Sequence, residues 1–451
     1  MRELFTGVVA ISATLFVSCV HAQNAPPASP FPPTSSLNNG YPGVGPGDLS
    51  LRAMSGSGGK KLYVLPATFE TTQWGWFDNS QTPVLRVHSG DTVVMETMMH
   101  SHNQVVPGTS IEQIKKLRTD FPGRGPHTLT GPIYIEEAQP GDVLKVTLNK
   151  IVPRAYATNF NVPGMFGQFP TVYQDGQVKY LYLDLDKMQT EFLPGIVLPL
   201  RPFPGTLGVA RKDPGRYSSV PPGEYAGNMD IRDFVAGTSL YVPVFVPGAL
   251  LWSGDSHAGQ GNGEVNLTAI ETAYKELNIT VEVLKGNALD FPRIETQTSW
   301  ISMGFDQDLN KAWAQAKTQT IKLLSEQRKI SPDEAEKLMA SVADCRVSQV
   351  VNIKKGIHCL TPKGRGKEDL ERPTKETAKY YVSHAKDADL NKAMNDASMG
   401  MIKWLETEKK IARLDAYGLA SVAMDCRVGA VSDTEKNVHC LMPKSIWVAK
   451  R

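Results

Sequence analysis

The sequence predicts a β-rich α+β fold, in which one large β domain is followed by two helix-helix-hairpin units. Three observations predict it. Short β-branched or aromatic runs, separated by Gly, Pro or Asp, fill the chain from Lys61 to about residue 300. Helical periodicity is scarce before that point and clear after it. The helix-bearing segment also occurs twice, with DQDLNKAW starting at Asp306 and DADLNKAM starting at Asp387.

Taken in order, Met1-Arg2 precede an apolar run from Leu4 to Val20, which exits through Val20-His21-Ala22 into the polar Gln23. That layout predicts a secretory signal peptide over residues 1–22, and hence a periplasmic or secreted protein with no membrane attachment after its removal. Cys19 leaves a lipobox alternative, for which Phe16 is a poor upstream residue. Residues 23–60 are rich in Pro, Gly, Ser and Asn and read as a disordered leader. From Lys61, the runs VLRV (84–87), DTVVMET (91–97), IYIEEA, DVLKVTLNKI, KYLYLDL, SLYVPVFV and NITVEVLKG read as strands.

Leu309, Ala312, Trp313, Ala316, Leu323 and Leu324 then share one helical face. Ser331-Pro332-Asp333-Glu334 is a capping box that opens a second helix, running to Val342. Cys345 to Asn352 and Ile357 to Thr361 read as a hairpin turning near Lys354-Lys355-Gly356. A charged linker, 364–378, leads to the second copy over 379–451, where LASVAMDCRV (419–428) matches LMASVADCRV (338–347) and NVHCLMPK (437–444) matches GIHCLTPK (356–363). Each copy has to bury a helix face and a hairpin face, so the second is expected against the first or against another subunit. It carries none of the candidate chemistry, and truncation near Lys363 is expected to spare that chemistry.

Cys345, Cys359, Cys426 and Cys440 remain after the signal. An even count in an exported chain predicts disulfides, with three connectivities open. Pairs within each copy would staple the hairpins, and cross-copy bridges are the alternative. A formal net charge of +2 gives no footprint for nucleic acid or an anionic surface.

The densest chemistry lies in residues 227–271. Asp255 and His257 stand two apart, as do Asn228 and Asp230, and Glu264 follows Gly261 and Gly263. Alternate residues of a strand face one side, so these pairs can converge on one point. His100 and His102 repeat the spacing after VVMETMM. Such a set suits a divalent metal, zinc or alternatively calcium, that polarises a carbonyl and activates water. His127 and Glu136 are the catalytic candidates, Glu136 as a strand-end carboxylate able to take a proton from water and return it to departing ammonia. Covalent routes find no support: no cysteine lies between Cys19 and Cys345, and no G-x-S-x-G elbow is present.

GNMDI, LYVPVFVPGALL and GDSHAGQGNGEV resemble, in this order, segments of the acetamidase/formamidase family. Gly131 to Glu136 with Gly141 to Leu144, PFPGTLGV (202–209) and DCRVSQVVNIKKGIHCLTPK (344–363) are similar to further family segments. The resemblance implies a family domain over 61–363, hydrolysis of non-peptide carbon–nitrogen bonds in a small linear amide, release of ammonia, and homo-oligomers. His100-x-His102 departs from the family pattern, and that pattern ends after one helix-hairpin copy. A non-catalytic binding protein on the same scaffold is the alternative, against which intact Asp255, His257 and Glu264 argue.

Overall fold

Runs of apolar residues with period two give strands whose buried sides meet in a core between two sheets, and a second large core lies beneath the helix-hairpin units. A computed structural model describes residues 54–55, 59–286 and 289–448. The expected signal peptide and most of the expected leader lie outside the described residues. Met54–Ser55, read as the end of that leader, instead pair antiparallel with Lys61–Leu65 at a sheet edge.

Two large sheets organise the β domain. The first has thirteen strands, with Val143–Pro153 and Tyr274–Leu284 as a long antiparallel pair within it. The second has nine strands and surrounds Leu251–His257. That strand pairs with Phe203–Val209 along one edge and with Thr128–Ile135 and Glu271–Thr272 along the other. Val93, Val146 and Ile279 of the first sheet share a core with Leu129, Leu207 and Trp252 of the second. Burial of each such side chain stabilises the fold by about 1.5–3 kcal/mol before entropy is counted. Every residue of Leu251–His257 is buried, so its polar groups can only be satisfied from within the protein or by a bound group.

The repeated unit contains one element more than the helix-helix-hairpin reading names. Each copy opens with a strand, Ser299–Asp306 or Tyr380–Asp387. Helices Leu309–Arg328 and Pro332–Val342 follow in the first, and Leu390–Thr407 and Arg413–Ala423 in the second. Hairpins Asp344–Gln349/Lys355–Pro362 and Asp425–Val431/Lys436–Pro443 close them. The first opening strand, buried at six of its eight positions in SWISMGFD, shows little alternation, which hides it from periodicity.

The copies lie side by side in the first sheet, where Arg346 faces Arg427 across an antiparallel junction. Their helix starts cap each other. Asn310 Nδ2 donates to Asp389 Oδ1 and Asn391 Nδ2 to Asp308 Oδ1, both at 2.7 Å. The Leu309 and Leu390 amides donate to Asn391 Oδ1 at 3.1 Å and Asn310 Oδ1 at 3.0 Å. The duplicated Asp-Leu-Asn thus satisfies helix-end donors across the two copies as well as within each. The linker is fastened too: Arg372 donates to Asp344 and to the Val428 carbonyl, and Asp369 pairs with Arg427.

A further helix, Ile111–Thr119, was not anticipated, although Ser110 and Gln113 form a capping box that announces it. Among the described residues no helix is long and apolar enough to cross a membrane. Of the open disulfide connectivities, the structure holds Cys345–Cys359 and Cys426–Cys440, each within one copy. Each joins residues opposite in register and fourteen apart. Closing a loop of this length is worth about 3 kcal/mol in the chain-entropy model. Replacing Cys426 and Cys440 together by Ala should lower unfolding stability by about that amount in denaturant titrations. An unchanged midpoint would show that the bridge does not constrain the unfolded chain.

Candidate metal centre and active site

Asp255 is the hub of the site, and it reaches that position through a strained backbone. Its φ is +51° within Leu251–His257, and Asp230 and Glu264 also adopt left-handed φ, both +50°. Non-glycine residues seldom hold this conformation, and the cost of about 1–3 kcal/mol each is borne where the surroundings enforce it. Asp255 and His257 do converge, with His257 Nε2 at 3.4 Å from Asp255 Oδ1. The kink at Asp255 shows that strand alternation is only part of the reason.

Around this hub, His100 Nε2 lies 3.0 Å from Asp255 Oδ1 and 3.4 Å from Glu271 Oε2. His257 Nε2 lies 3.2 Å from Glu271 Oε2, and His127 Nε2 lies 3.6 Å from Asp255 Oδ2. His257 Nδ1 faces Asp230 Oδ1 at 3.7 Å. Thr206 Oγ1 donates to Asn228 Oδ1 at 2.7 Å, and Asn352 donates to Asp230. Three groups of potential ligands emerge: His100/His127/Asp255, Asp230/His257/Glu264 and Asp255/His257/Glu271. The first two share no residue, and the third draws on both. Gly205 makes the floor, since an added Cβ would lie 2.5 Å from both Asp230 Oδ1 and His257 Cε1. Its missing side chain is what lets the two ligand segments meet.

The electrostatics reflect crowding. Burial would lower the His100 pKa, but Asp255 and Glu271 outweigh it and raise it to about 9. Burial dominates at His127 and pulls it down to about 4. Burial would raise Glu271, yet His257 and His100 hold it at about 2. Asp230 is pushed up to about 7 by burial and by its neighbours Asp255 and Glu271. Glu264 is raised well above its usual range by burial and by Asp230. Burial would raise Asp255 as well, yet His127 and His257 hold it well below the usual carboxylate range, so Asp255 and Glu271 favour the ionised form while Asp230 and Glu264 are pushed the other way.

A cation fits this set. His100 Nδ1, both ring nitrogens of His257, Asp230 Oδ1, Glu264 Oε2 and Glu271 Oε2 are buried without a hydrogen-bond partner among the described residues. Four carboxylates crowded together out of solvent are costly unless positive charge sits among them, and a bound cation would supply it more fully than the imidazoles alone.

Of the sequence candidates, His100, His127, Asn228, Asp230, Asp255 and Glu264 line one cavity of 240 Å³, and His257 is buried directly behind them. Two candidates are corrected. His102 turns away because Ser101, His102 and Asn103 all take left-handed φ, which breaks the strand alternation expected there. It lies 3.1 Å from Thr72 Oγ1 and packs on Phe69 and Trp74. Glu136 is a partly exposed surface carboxylate paired with Arg86 at 2.7 Å, outside the cavity. Sequence reasoning gave Glu271 no role. It enters through cross-strand pairing with His257 in a two-residue strand, a non-local contact that leaves no spacing signal.

Comparisons with known proteins decide the lineage. The sequence model described as the acetamidase/formamidase family matches residues 72–216 and 212–362. This chain belongs to that family. Among acetamidase/formamidase relatives, an acetamidase of Mycolicibacterium smegmatis is 28% identical over 219 residues, covering 36% of this chain and 54% of that one. The match thus spans little more than half of that relative. The solved acetamidase of Bacillus halodurans superposes with a TM-score of 0.61 at 28% identity, covering 66% of this chain and 97% of its own. A predicted acetamidase/formamidase of Thermoanaerobacter tengcongensis gives 0.60 at 29% identity, covering 67% and 95%. The family match ends at residue 362, so the second helix-hairpin copy lies beyond it.

That copy contributes no residue to the cavity lining, yet it holds the loop that carries Glu264. The loop is clamped in the seam between the copies, with Gly263 bridged to Gln349 of the first and Asn262 to Asp425 of the second. Gly261 fits only because it lacks a Cβ, which would lie 2.6 Å from the Met424 carbonyl. Tyr417 donates to the Val265 carbonyl at 2.7 Å and Ser421 to that of Thr268 at 2.8 Å. Asp425 accepts from Asn262 at 2.6 Å and pairs with Arg232 at 3.0 Å. It therefore ties together the segments bearing Glu264 and Asp230. These contacts replace the expectation that truncation near Lys363 would spare the chemistry.

Gly205→Ala should abolish cation binding, measured by elemental analysis of purified protein, and lower stability by about 1–3 kcal/mol through overpacking. A variant with normal metal content would refute the role of the floor. Asp425→Ala leaves Arg232 short of a buried partner and should cost about 3–5 kcal/mol. Burial would raise the Asp425 pKa, but Arg232, Arg346 and Arg427 hold it far below the usual range. Its contribution is therefore full above the unfolded-state pKa of about 3.9 and is lost as pH falls below it. The stability gap between wild type and variant should shrink on acidification below about pH 4, read by denaturant titration.

Proposed function

We propose that this chain hydrolyses the carbon–nitrogen bond of a linear amide, releasing ammonia, with a divalent cation held in the buried cluster. One observation carries the reading: three buried histidines and four buried carboxylates fall into linked groups at ligand spacing, and Asp230 Oδ1, Glu264 Oε2 and Glu271 Oε2 have no hydrogen-bond partner among the described residues. Family membership and the acetamidase relatives support amides as the substrate class. When bound, a divalent cation would polarise the amide carbonyl and lower the pKa of a water molecule. His100, His127, His257, Asp255 and Glu271 are the residues assigned to hold it. Three imidazoles favour zinc over calcium, which prefers oxygen donors.

Asp230 and Glu264 are assigned the proton. Burial and neighbouring carboxylates push both above the usual carboxylate range, which suits the pair to carry a proton between them. A carboxyl so placed takes a proton as water adds to the carbonyl carbon and gives one to nitrogen as ammonia departs. Thr206 and Asn352 orient the carboxylates that surround it. We also read the chain as exported, since its signal-like start and two disulfides suit an oxidising compartment.

Ammonia release from formamide and acetamide should vanish on chelation and return with zinc. Glu264→Gln should keep its cation and lose about 10²-fold or more in kcat, the usual loss for a general acid–base group. Loss of the cation from that variant would make Glu264 a ligand instead. His257→Ala should lose cation and turnover together, and retained turnover would remove His257 from the site. N-terminal sequencing of the exported protein should begin at Gln23.

A further inference from the structure

Arg118 comes from helix Ile111–Thr119, whose Ile114 packs with Val105, Phe160 and Val162 in a small core of its own. From there the side chain lines the same cavity as His100 and His127. Its Nη1 is closed off from solvent and has no hydrogen-bond partner, and no carboxylate pairs with it among the described residues. This sets it apart from the other buried arginines. Arg232 and Arg427 pair with Asp425, and Arg346 pairs with Asp344. Arg124, also on the cavity wall, lies over the Trp74 ring at 4.5 Å. Burial lowers the Arg118 pKa only to about 10, so it remains a cation at neutral pH. Arg118 as a whole is half-buried, but a guanidinium nitrogen closed off from solvent without an acceptor is costly, and a bound acceptor would offset that cost.

The cavity is also larger than a minimal amide requires. About 10–15 Å³ of such space holds one water, so 240 Å³ has room well beyond the three or four heavy atoms of formamide or acetamide. Phe160, Leu267 and Val351 supply apolar wall, suited to a short methylene spacer.

We propose that Arg118 is a substrate-recognition residue, and that the preferred substrate is an amide carrying a carboxylate, such as the monoamide of a short dicarboxylic acid. The planar guanidinium binds the carboxylate while the amide carbonyl reaches the histidine–carboxylate cluster. This rests on the amide-hydrolysis reading. The reaction balances without a further reactant: water oxygen bonds to the carbonyl carbon, the C–N bond breaks with its electron pair on nitrogen, and a dicarboxylate and ammonium leave.

The test compares succinamate with its neutral match pentanamide on the full-length zinc-loaded protein, measuring ammonia release. Succinamate should be preferred at least 30-fold in kcat/KM, mainly through KM. Arg118→Met should bring that ratio close to one, and Arg118→Lys should restore part of it, both with thermal melts showing a folded protein. Equal or better use of pentanamide, or a ratio unmoved by Arg118→Met, would overturn the proposal. Calorimetric titration with succinate provides a measurement independent of turnover. Succinate binding that depends on Arg118, in a protein hydrolysing neither amide, would sustain the anion site and sink the amide reading. Absence of Arg118-dependent succinate binding would sink the proposal itself.

Discussion

Four carboxylates and three imidazoles are packed into one buried cluster, and several of their polar atoms have no hydrogen-bond partner among the described residues. The rest of the domain is arranged to hold that set together. A strand buried on both faces carries Asp255 and His257, and a neighbouring strand contributes Gly205, whose lack of a side chain leaves room for them. Three of the acidic groups sit on left-handed backbone, a conformation that the two sheets and the clamped loop enforce. Stability built elsewhere, in the shared core of the two sheets, is what makes such concentrated strain and charge tolerable.

The division of labour among the carboxylates follows from their neighbours. Asp255 and Glu271 each face two or more imidazoles, whereas Asp230 faces only the far side of His257 and Glu264 is raised by burial and by Asp230. Identical chemical groups therefore differ in protonation by position alone. A bound cation would compress this difference, and the protonated pair is where the remaining freedom to move a proton lies.

How much of this was legible depended on range. The duplicated helices and hairpins were readable because their signals are local: a capping box at Ser331, a periodic face through Leu309 and Ala316, and matching Cys-Arg-Val segments. Asp255, His257, Asp230 and Glu264 stood out by density in one stretch. Glu271 did not, because a two-residue strand brings it opposite His257. His102 and Glu136 misled for a related reason. Period-two reasoning assumes an extended backbone, and residues 101–103 are left-handed, while the position of Glu136 at the end of its strand does not reveal which side of the sheet it faces. Arg118 was invisible because the lack of an acidic partner is a property of the folded neighbourhood.

The reciprocal helix caps and the Arg346–Arg427 junction have a consequence in mass action. In a chain ending at residue 362, the strand Asp344–Gln349 would be an open sheet edge, and one side of the Glu264 loop would be uncovered. Covering it from a separate molecule would make an ordered loop depend on protein concentration. Tethered through residues 364–378, the second copy is present at an effective concentration that the linker fixes and that does not depend on how much protein is present. Closure of that loop is therefore first order in this chain, and dilution does not loosen it.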